Sequence, residues 1–168
     1  LEPTAFFIHS WIHRLNPQAK AVLHTHMPYA TALTLVQGGR LEWCNQNALR
    51  FFGRVAFDDT YNGLALDDAE GRRIASQLNG HDVMFMASHG VTVVGRSVAW
   101  AFDDLYYLER ACMHQVLAVQ AAGGRALRRV PDALCAATAA QIAGERQQSD
   151  LFLASVKRML DRDEPGWR

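Results

Sequence analysis

The chain has 168 residues, 49% of them hydrophobic and 20% charged, with 17 basic against 17 acidic side chains. A chain of this size closes its own hydrophobic core, and an even charge balance without a basic stripe among aromatics argues against a nucleic-acid partner. No apolar run approaches the roughly 20 residues that span a bilayer, and Leu1-Glu2-Pro3-Thr4 lacks the charged-then-apolar layout of a secretory leader, so a cytoplasmic protein without a membrane segment is expected.

The first predicted element is an amphipathic helix over residues 4–15. Ala5, Ile8, Ile12 and Leu15 recur at helical spacing, Glu2 and Pro3 favour the start, and Asn16-Pro17 stops it. Residues 20–24 are a short β-type run, and Pro28 opens a helix over residues 28–35. The tripeptide His24-Thr25-His26 therefore lies where a strand hands over to a helix.

Gln37-Gly38-Gly39-Arg40 reads as a turn, and residues 54–57 as a strand ending in Asp58-Asp59. Asp67 or Asp68 caps a helix that runs to Leu78 and closes at Asn79-Gly80. Residues 82–87 form an apolar strand ending at Ser88-His89-Gly90, and the β pattern resumes over Val91–Val94. Ser97 caps a long helix reaching Ala121, and Pro131-Asp132 opens a further helical region reaching Leu160. Helices alternate with short strands, so the class is α/β, with strand direction left open. One domain over residues 1–168 is expected, with residues 126–168 as a helical tail. The chain starts without methionine and close to a helix start, so an upstream portion is also expected.

Cys44, Cys112 and Cys135 are odd in number, widely spaced and never paired as CxxC, which argues against a disulfide framework or thiolate zinc site and predicts buried thiols. The histidines are more informative. In a strand, residues two apart share a face about 6–7 Å apart, so His24 and His26 can converge on one ion while Thr25 points away. His89, at the end of another strand and before Gly90, supplies a third imidazole. Three neutral imidazoles leave a fourth position open on zinc, the arrangement of catalytic sites. Taken alone, the HxH pair is equally compatible with hydrogen-bonded histidines, and the second strand ending in His-Gly tips the balance toward metal.

Other HxH patterns fit less well. An HxHxDH hydrolase needs Asp and His where Pro28 and Tyr29 stand, a cupin needs an acid that residues 27–36 lack, and an amidohydrolase barrel needs roughly 250 residues. His9 and His13 lie four apart on the first helix without an intervening Glu of the HExxH kind, so a polar helix face is the better reading.

The segments running from His24-Thr25-His26-Met27-Pro28-Tyr29 to Leu33, and Ser88-His89-Gly90-Val91, resemble the two metal-binding segments of the class II aldolase/adducin family. Residues 47–57 with Tyr61-Asn62-Gly63, and residues 105–116, are most similar to its adducin-like branch. The resemblance spans about residues 1–124. It implies a three-layer α/β/α sandwich with a central, largely antiparallel sheet, commonly in a homotetramer whose active sites lie between subunits. It implies a divalent ion, zinc first and Mn, Fe or Co as alternatives, held by His24, His26 and His89. In that chemistry the ion chelates carbonyl and hydroxyl oxygens of a small-molecule substrate and stabilises the enediolate formed as a C–C bond breaks, while an acid/base shuttles the proton.

Two departures stand out. The family's aldolases carry a glutamate about nineteen residues before the first metal histidine, where this chain has Ala5, and a tyrosine from a neighbouring subunit that falls near Gln46. Candidates for the missing acid/base are Glu2, Tyr29 and Tyr61, with Asp59 beside them, against ordinary roles as helix cap, packed aromatics and turn residue. Arg54 and Arg96 are candidates to meet a carboxylate or phosphate. Tyr106, Tyr107 and Glu109 read as core or interface. Two functions follow as expectations: a metal-dependent lyase of the aldolase type, with epimerase and decarboxylase variants, acting on a small hydroxy-carbonyl compound such as a sugar phosphate, or a non-catalytic adducin-like module for assembly or partner binding.

Overall fold

The structure, a computed structural model, describes residues 2–167. Helix α1 (Pro3–Leu15) begins where Glu2 accepts hydrogen bonds from the backbone N–H groups of Thr4 and Ala5, at 3.1 and 2.7 Å. Ile8 and Ile12 bury as the spacing predicts, whereas Leu15 stays 46% exposed because the chain turns away at Asn16-Pro17. Strand β1 (Ala21–Thr25) and helix α2 (Pro28–Thr34) follow, then a short helix α3 (Gln46–Leu49) that the sequence reading did not foresee. Asn45 caps α3 by accepting from the Ala48 N–H. Strand β2 (Val55–Asp58), helix α4 (Asp68–Gln77), strands β3 (Val83–Met86) and β4 (Gly90–Gly95), and helix α5 (Val98–Ala122) fall close to their expected positions. Asp67 and Ser97 are the N-caps of α4 and α5.

The sheet order is β1-β4-β3-β2, with β1–β4 and β4–β3 antiparallel and β3–β2 parallel. Alternation along the strands divides the core in two. Val22, Ala56, Met84, Met86 and Val94 face Ile8 and Ile12 of α1 and Ile74 of α4. Val83, Phe85, Val91 and Val93 face Leu33 of α2, Ala48 of α3 and Leu108 and Cys112 of α5. The result is the α/β/α sandwich with a largely antiparallel sheet. A side chain at Gly71 would stand 2.8 Å from the Phe7 carbonyl oxygen, so α1 and α4 cross as closely as they do only because a glycine is there.

The helical region after Pro131 is two helices, α6 (Asp132–Ala143) and α7 (Gln147–Asp163), parted at Gly144-Glu145-Arg146. The break lets α7 fold back on α5, where Phe152 packs against Phe102 and Tyr106 and the Ser149 hydroxyl donates to Asp103 at 2.8 Å. The expected tail is thus helical over α6 and α7, but docked. Cys112 and Cys135 are buried, while Cys44 is only half-buried, a partial departure from the expectation for all three. Cys44 sits in the coil before α3, without a strand or helix face to turn it inward. No helix among the described residues is long and apolar enough to cross a membrane.

Asp104, only 1% exposed, joins three segments: it accepts from Arg50, from Arg54 at 2.7 Å, and from both Nη atoms of Arg146 at 2.9 and 2.7 Å. Burial works to raise the Asp104 carboxyl, but the Arg146 hydrogen bonds and the charges of Arg54 and Arg146 outweigh it and hold the group below its ordinary value of 3.8. A carboxylate depressed in this way contributes stability above its unfolded value and loses it as pH falls through the lowered one. Asp104→Ala is expected to cost about 3–5 kcal/mol at pH 7, because three guanidiniums lose a buried counter-charge. Urea unfolding at pH 7 and again near pH 2 checks this: the gap between wild type and variant must narrow in acid.

Candidate metal centre

The register of β1 against β4 sets His24 opposite Thr92 and Thr25 opposite Val91, so the end of β1 lies beside the start of β4. His24 is in the last turn of pleat of β1, His26 follows directly, and His89 stands in the tight turn between β3 and β4. The turn is closed by Ser88, in the left-handed region at φ 56°, whose N–H donates to the Thr34 carbonyl at 3.1 Å. Gly90 completes the approach. A Cβ there would meet the Thr25 carbonyl oxygen at 2.5 Å and Cδ2 of His26 at 2.8 Å, so any other residue would push β1 and His26 away.

These constraints bring the three imidazoles together. Their ring centroids lie 5.1 Å (His24–His26), 4.8 Å (His24–His89) and 4.9 Å (His26–His89) apart. One nitrogen from each lies within 4.8 Å of the others, and Nε2 of His24 is 3.2 Å from Nε2 of His26. Two nitrogens bound tetrahedrally at the usual zinc distance stand about 3.3 Å apart, so the pair is spaced as ligands need. Nδ1 of His24 lies 3.0 Å from the Val91 carbonyl. A carbonyl only accepts, which makes Nδ1 the protonated nitrogen and leaves the Nε2 lone pair facing the other rings.

Burial, followed by the neighbouring His89, lowers the His24 imidazole to about 4. Burial and then His26 also lower His89, with Asp58 opposing. His24 and His89 are thus uncharged near neutrality, the form that binds a metal ion. Both are half-buried and His26 is exposed, so the cluster is reached from solvent on the His26 side.

Of the acid/base candidates, Tyr61 comes nearest: its ring centroid lies 6.3 Å from that of His89, and the side chain is 52% exposed. Glu2 feels the charge of His24, but its carboxylate is engaged by the Thr4 hydroxyl and the N–H groups of Ala5 and Thr4, which lower it in that order. Tyr29 packs against the core cluster on the α5 side of the sheet. Asp59 pairs with Arg40. Ala5 lies in α1, and Gln46 is exposed at the start of α3. Nδ1 of His13 lies 2.7 Å from the Ala19 carbonyl and His9 is half-buried on the same helix, in keeping with a non-metal role. Arg54 and Arg96 lie at the opposite end of the sheet, lining one cavity.

Two supporting residues escaped the sequence reading. Glu109, set aside as core or interface, accepts from the Tyr29 and Ala30 N–H groups at 2.9 and 2.8 Å, capping α2 just after His26. The only hint was that α2 begins with Met27-Pro28 and has no capping side chain of its own. Asp58, 3% exposed, is held by Arg73 through two bonds of 2.9 and 2.8 Å and accepts from the Thr60 N–H, fixing the base of the loop that carries Tyr61. Nothing in the sequence linked it to Arg73, fifteen residues on.

Residues 1–116 match the family model described as Class II Aldolase and Adducin N-terminal domain. A 4-hydroxy-3-prenylphenylpyruvate oxygenase/4-hydroxy-3-prenylbenzoate synthase of Streptomyces roseochromogenus subsp. oscitans is 39% identical over 123 residues, 71% of this chain and 43% of that protein. The alpha-adducin of Rattus norvegicus is 35% identical over 120 residues, again 71% of this chain but 16% of its own length. The crystal structure of an aldolase II superfamily protein from Pseudomonas syringae superimposes with a TM-score of 0.82 at 32% identity, covering 96% of this chain and 64% of that one. The chain therefore spans less than two thirds of each of these relatives. With the fold, the histidine positions and the family model in agreement, the chain belongs to the class II aldolase and adducin family.

Proposed function

We propose that the chain is the catalytic portion of a metal-dependent lyase of the class II aldolase type, acting on a small hydroxy-carbonyl compound, a sugar phosphate being one candidate. The observation that carries this reading is the convergence of three imidazoles with two Nε2 atoms 3.2 Å apart and a backbone carbonyl fixing the His24 tautomer. In it His24, His26 and His89 hold one divalent ion, zinc first and Mn, Fe or Co by the same donor set. When bound, the ion supplies Lewis-acid stabilisation of negative charge developing on a substrate oxygen.

The remaining tasks fall to the chain's own side chains. Tyr61, against His89 and exposed, is the proposed proton carrier; Glu2 is the second choice because its lone pairs serve the start of α1, and Tyr29 the third because its ring is packed. Asp58 and Arg73 steady the Tyr61 loop. Cleavage, epimerisation and decarboxylation share this apparatus, and the oxygenase/synthase relative, named for a phenylpyruvate, is consistent with an oxo-acid substrate. A cytoplasmic homotetramer with sites between subunits belongs to the same proposal, as does a single domain spanning residues 1–168. A second reading, an adducin-like assembly or partner-binding module, is favoured by Ala5, since a methyl group moves no proton.

Three measurements test this. Elemental analysis of protein purified without chelators or a histidine tag should give about one divalent ion per chain, and His26→Ala should lose it while keeping its circular dichroism. Gly90→Ala should weaken metal affinity at least tenfold by displacing His26. In the metal-loaded protein, Tyr61→Phe should lower kcat by about 10²–10⁴, the usual worth of an acid/base, with metal content unchanged. A folded, metal-free wild type, or a loaded protein inert toward a broad panel of sugar phosphates and hydroxy acids, favours the adducin-like reading.

A further inference from the structure

Arg54 and Arg96 line one cavity at the end of the sheet away from the histidines. Strand β4 runs from Gly90 beside His26 to Gly95, and at the rise of an extended chain those five steps separate the two ends by about 17 Å. Beyond Gly95 a cavity of about 400 Å³ opens between the β4 end, the start of α5 and the C-terminal part of α6. That volume is within the range of small-molecule sites.

Its walls carry four guanidiniums, Arg50, Arg54, Arg96 and Arg146, against two carboxylates, Asp82 and Asp104. Arg54 is spoken for by Asp82 and Asp104, and Arg146 by Asp104. Their placement is therefore fixed before any ligand arrives, and a guanidinium has five N–H donors, more than these bonds use. Arg96 differs. Its side chain is exposed at the rim and has no ion pair or hydrogen bond among the described residues. Trp100 supplies a flat wall, with the Arg146 guanidinium 5.1 Å from its ring centroid, and Val94 and Ile142 line the cavity with apolar surface. A concave, positively biased pocket with two rigidly held guanidiniums and one unpaired one suits a bidentate oxyanion.

We propose that this cavity is a second ligand site, separate from the histidine centre, that takes a carboxylate or phosphate group of a small molecule, with Arg96 closing on the anion and Trp100 flanking the body that carries it. Phosphate and carboxylate share the recognising chemistry, so inorganic phosphate and citrate serve as separate probes, titrated calorimetrically into the purified chain at constant ionic strength. At least one should bind saturably with one site per chain. Arg96→Ala should weaken that binding tenfold or more, Arg96→Lys should do so less, and Arg40→Ala, an arginine paired with Asp59 elsewhere on the surface, should leave it unchanged. The ligand should also alter tryptophan emission, a response that Trp100→Phe removes while the heat of binding remains. His26→Ala should bind the anion as wild type does. The proposal is overturned if sodium chloride reproduces the effect, if neither probe saturates, if Arg96→Ala binds as tightly as wild type, or if binding disappears in His26→Ala and survives in Arg96→Ala.

Discussion

Antiparallel pairing of β1 with β4, running from Ala21 opposite Gly95 to Thr25 opposite Val91, is the constraint on which the rest of the structure depends. A slip of β1 by one residue would turn His24 to the other face, set Val22 against the wrong core layer and remove the carbonyl that fixes the His24 tautomer. The same pairing aligns the β3–β4 turn with the end of β1, which is how a histidine 63 residues beyond His26 reaches it. Register is itself held by burial, since Val93 and Val94 on successive positions of β4 enter opposite halves of the core. The candidate centre is thus a consequence of how apolar residues are distributed, and the polar residues refine it.

That refinement is done by charged groups acting over long sequence distances. Glu109 holds the start of α2 and so sets where the chain goes after His26. Asp58 with Arg73 holds the loop after β2, and Asp104 gathers Arg50, Arg54 and Arg146 so that α7 lies on α5. Each carboxylate is buried or half-buried and each is met by several donors, the condition under which a buried charge is tolerated. Two ends of one sheet consequently differ in electrostatic character. The histidine end carries His24 and His89, which burial keeps neutral, and the opposite end concentrates arginine.

Much of this was legible in the sequence because it rests on periodicity and caps, which are local. Ile8 and Ile12 announced α1, Asp67 and Ser97 announced α4 and α5, and His24, His26 and His89 announced the centre through strand spacing and family resemblance. What escaped is non-local. Helix α3 is four residues long, too short for a period to show. The split between α6 and α7 turns on where α7 can dock, and the roles of Glu109, Asp58 and Asp104 depend on partners fifteen to eighty residues away. Tyr61 is one candidate among four in the sequence, and only the fold sets its ring against His89 while Tyr29 turns to the core.

Proton placement decides which nitrogens of the centre are open to a cation. With Nδ1 of His24 donating to Val91, its Nε2 bears the free lone pair, 3.2 Å from Nε2 of His26. For a shared ion, Nε2 of His26 must be an unprotonated nitrogen as well. Because His26 is exposed, its ring can carry the proton on Nδ1, hydrogen-bonded to water. That tautomer uncovers no buried polar group. His24 and His89, already neutral, need release no proton near pH 7. Under the proposed metal reading, the tautomer of His24 is set by the fold and that of His26 is left to solvent.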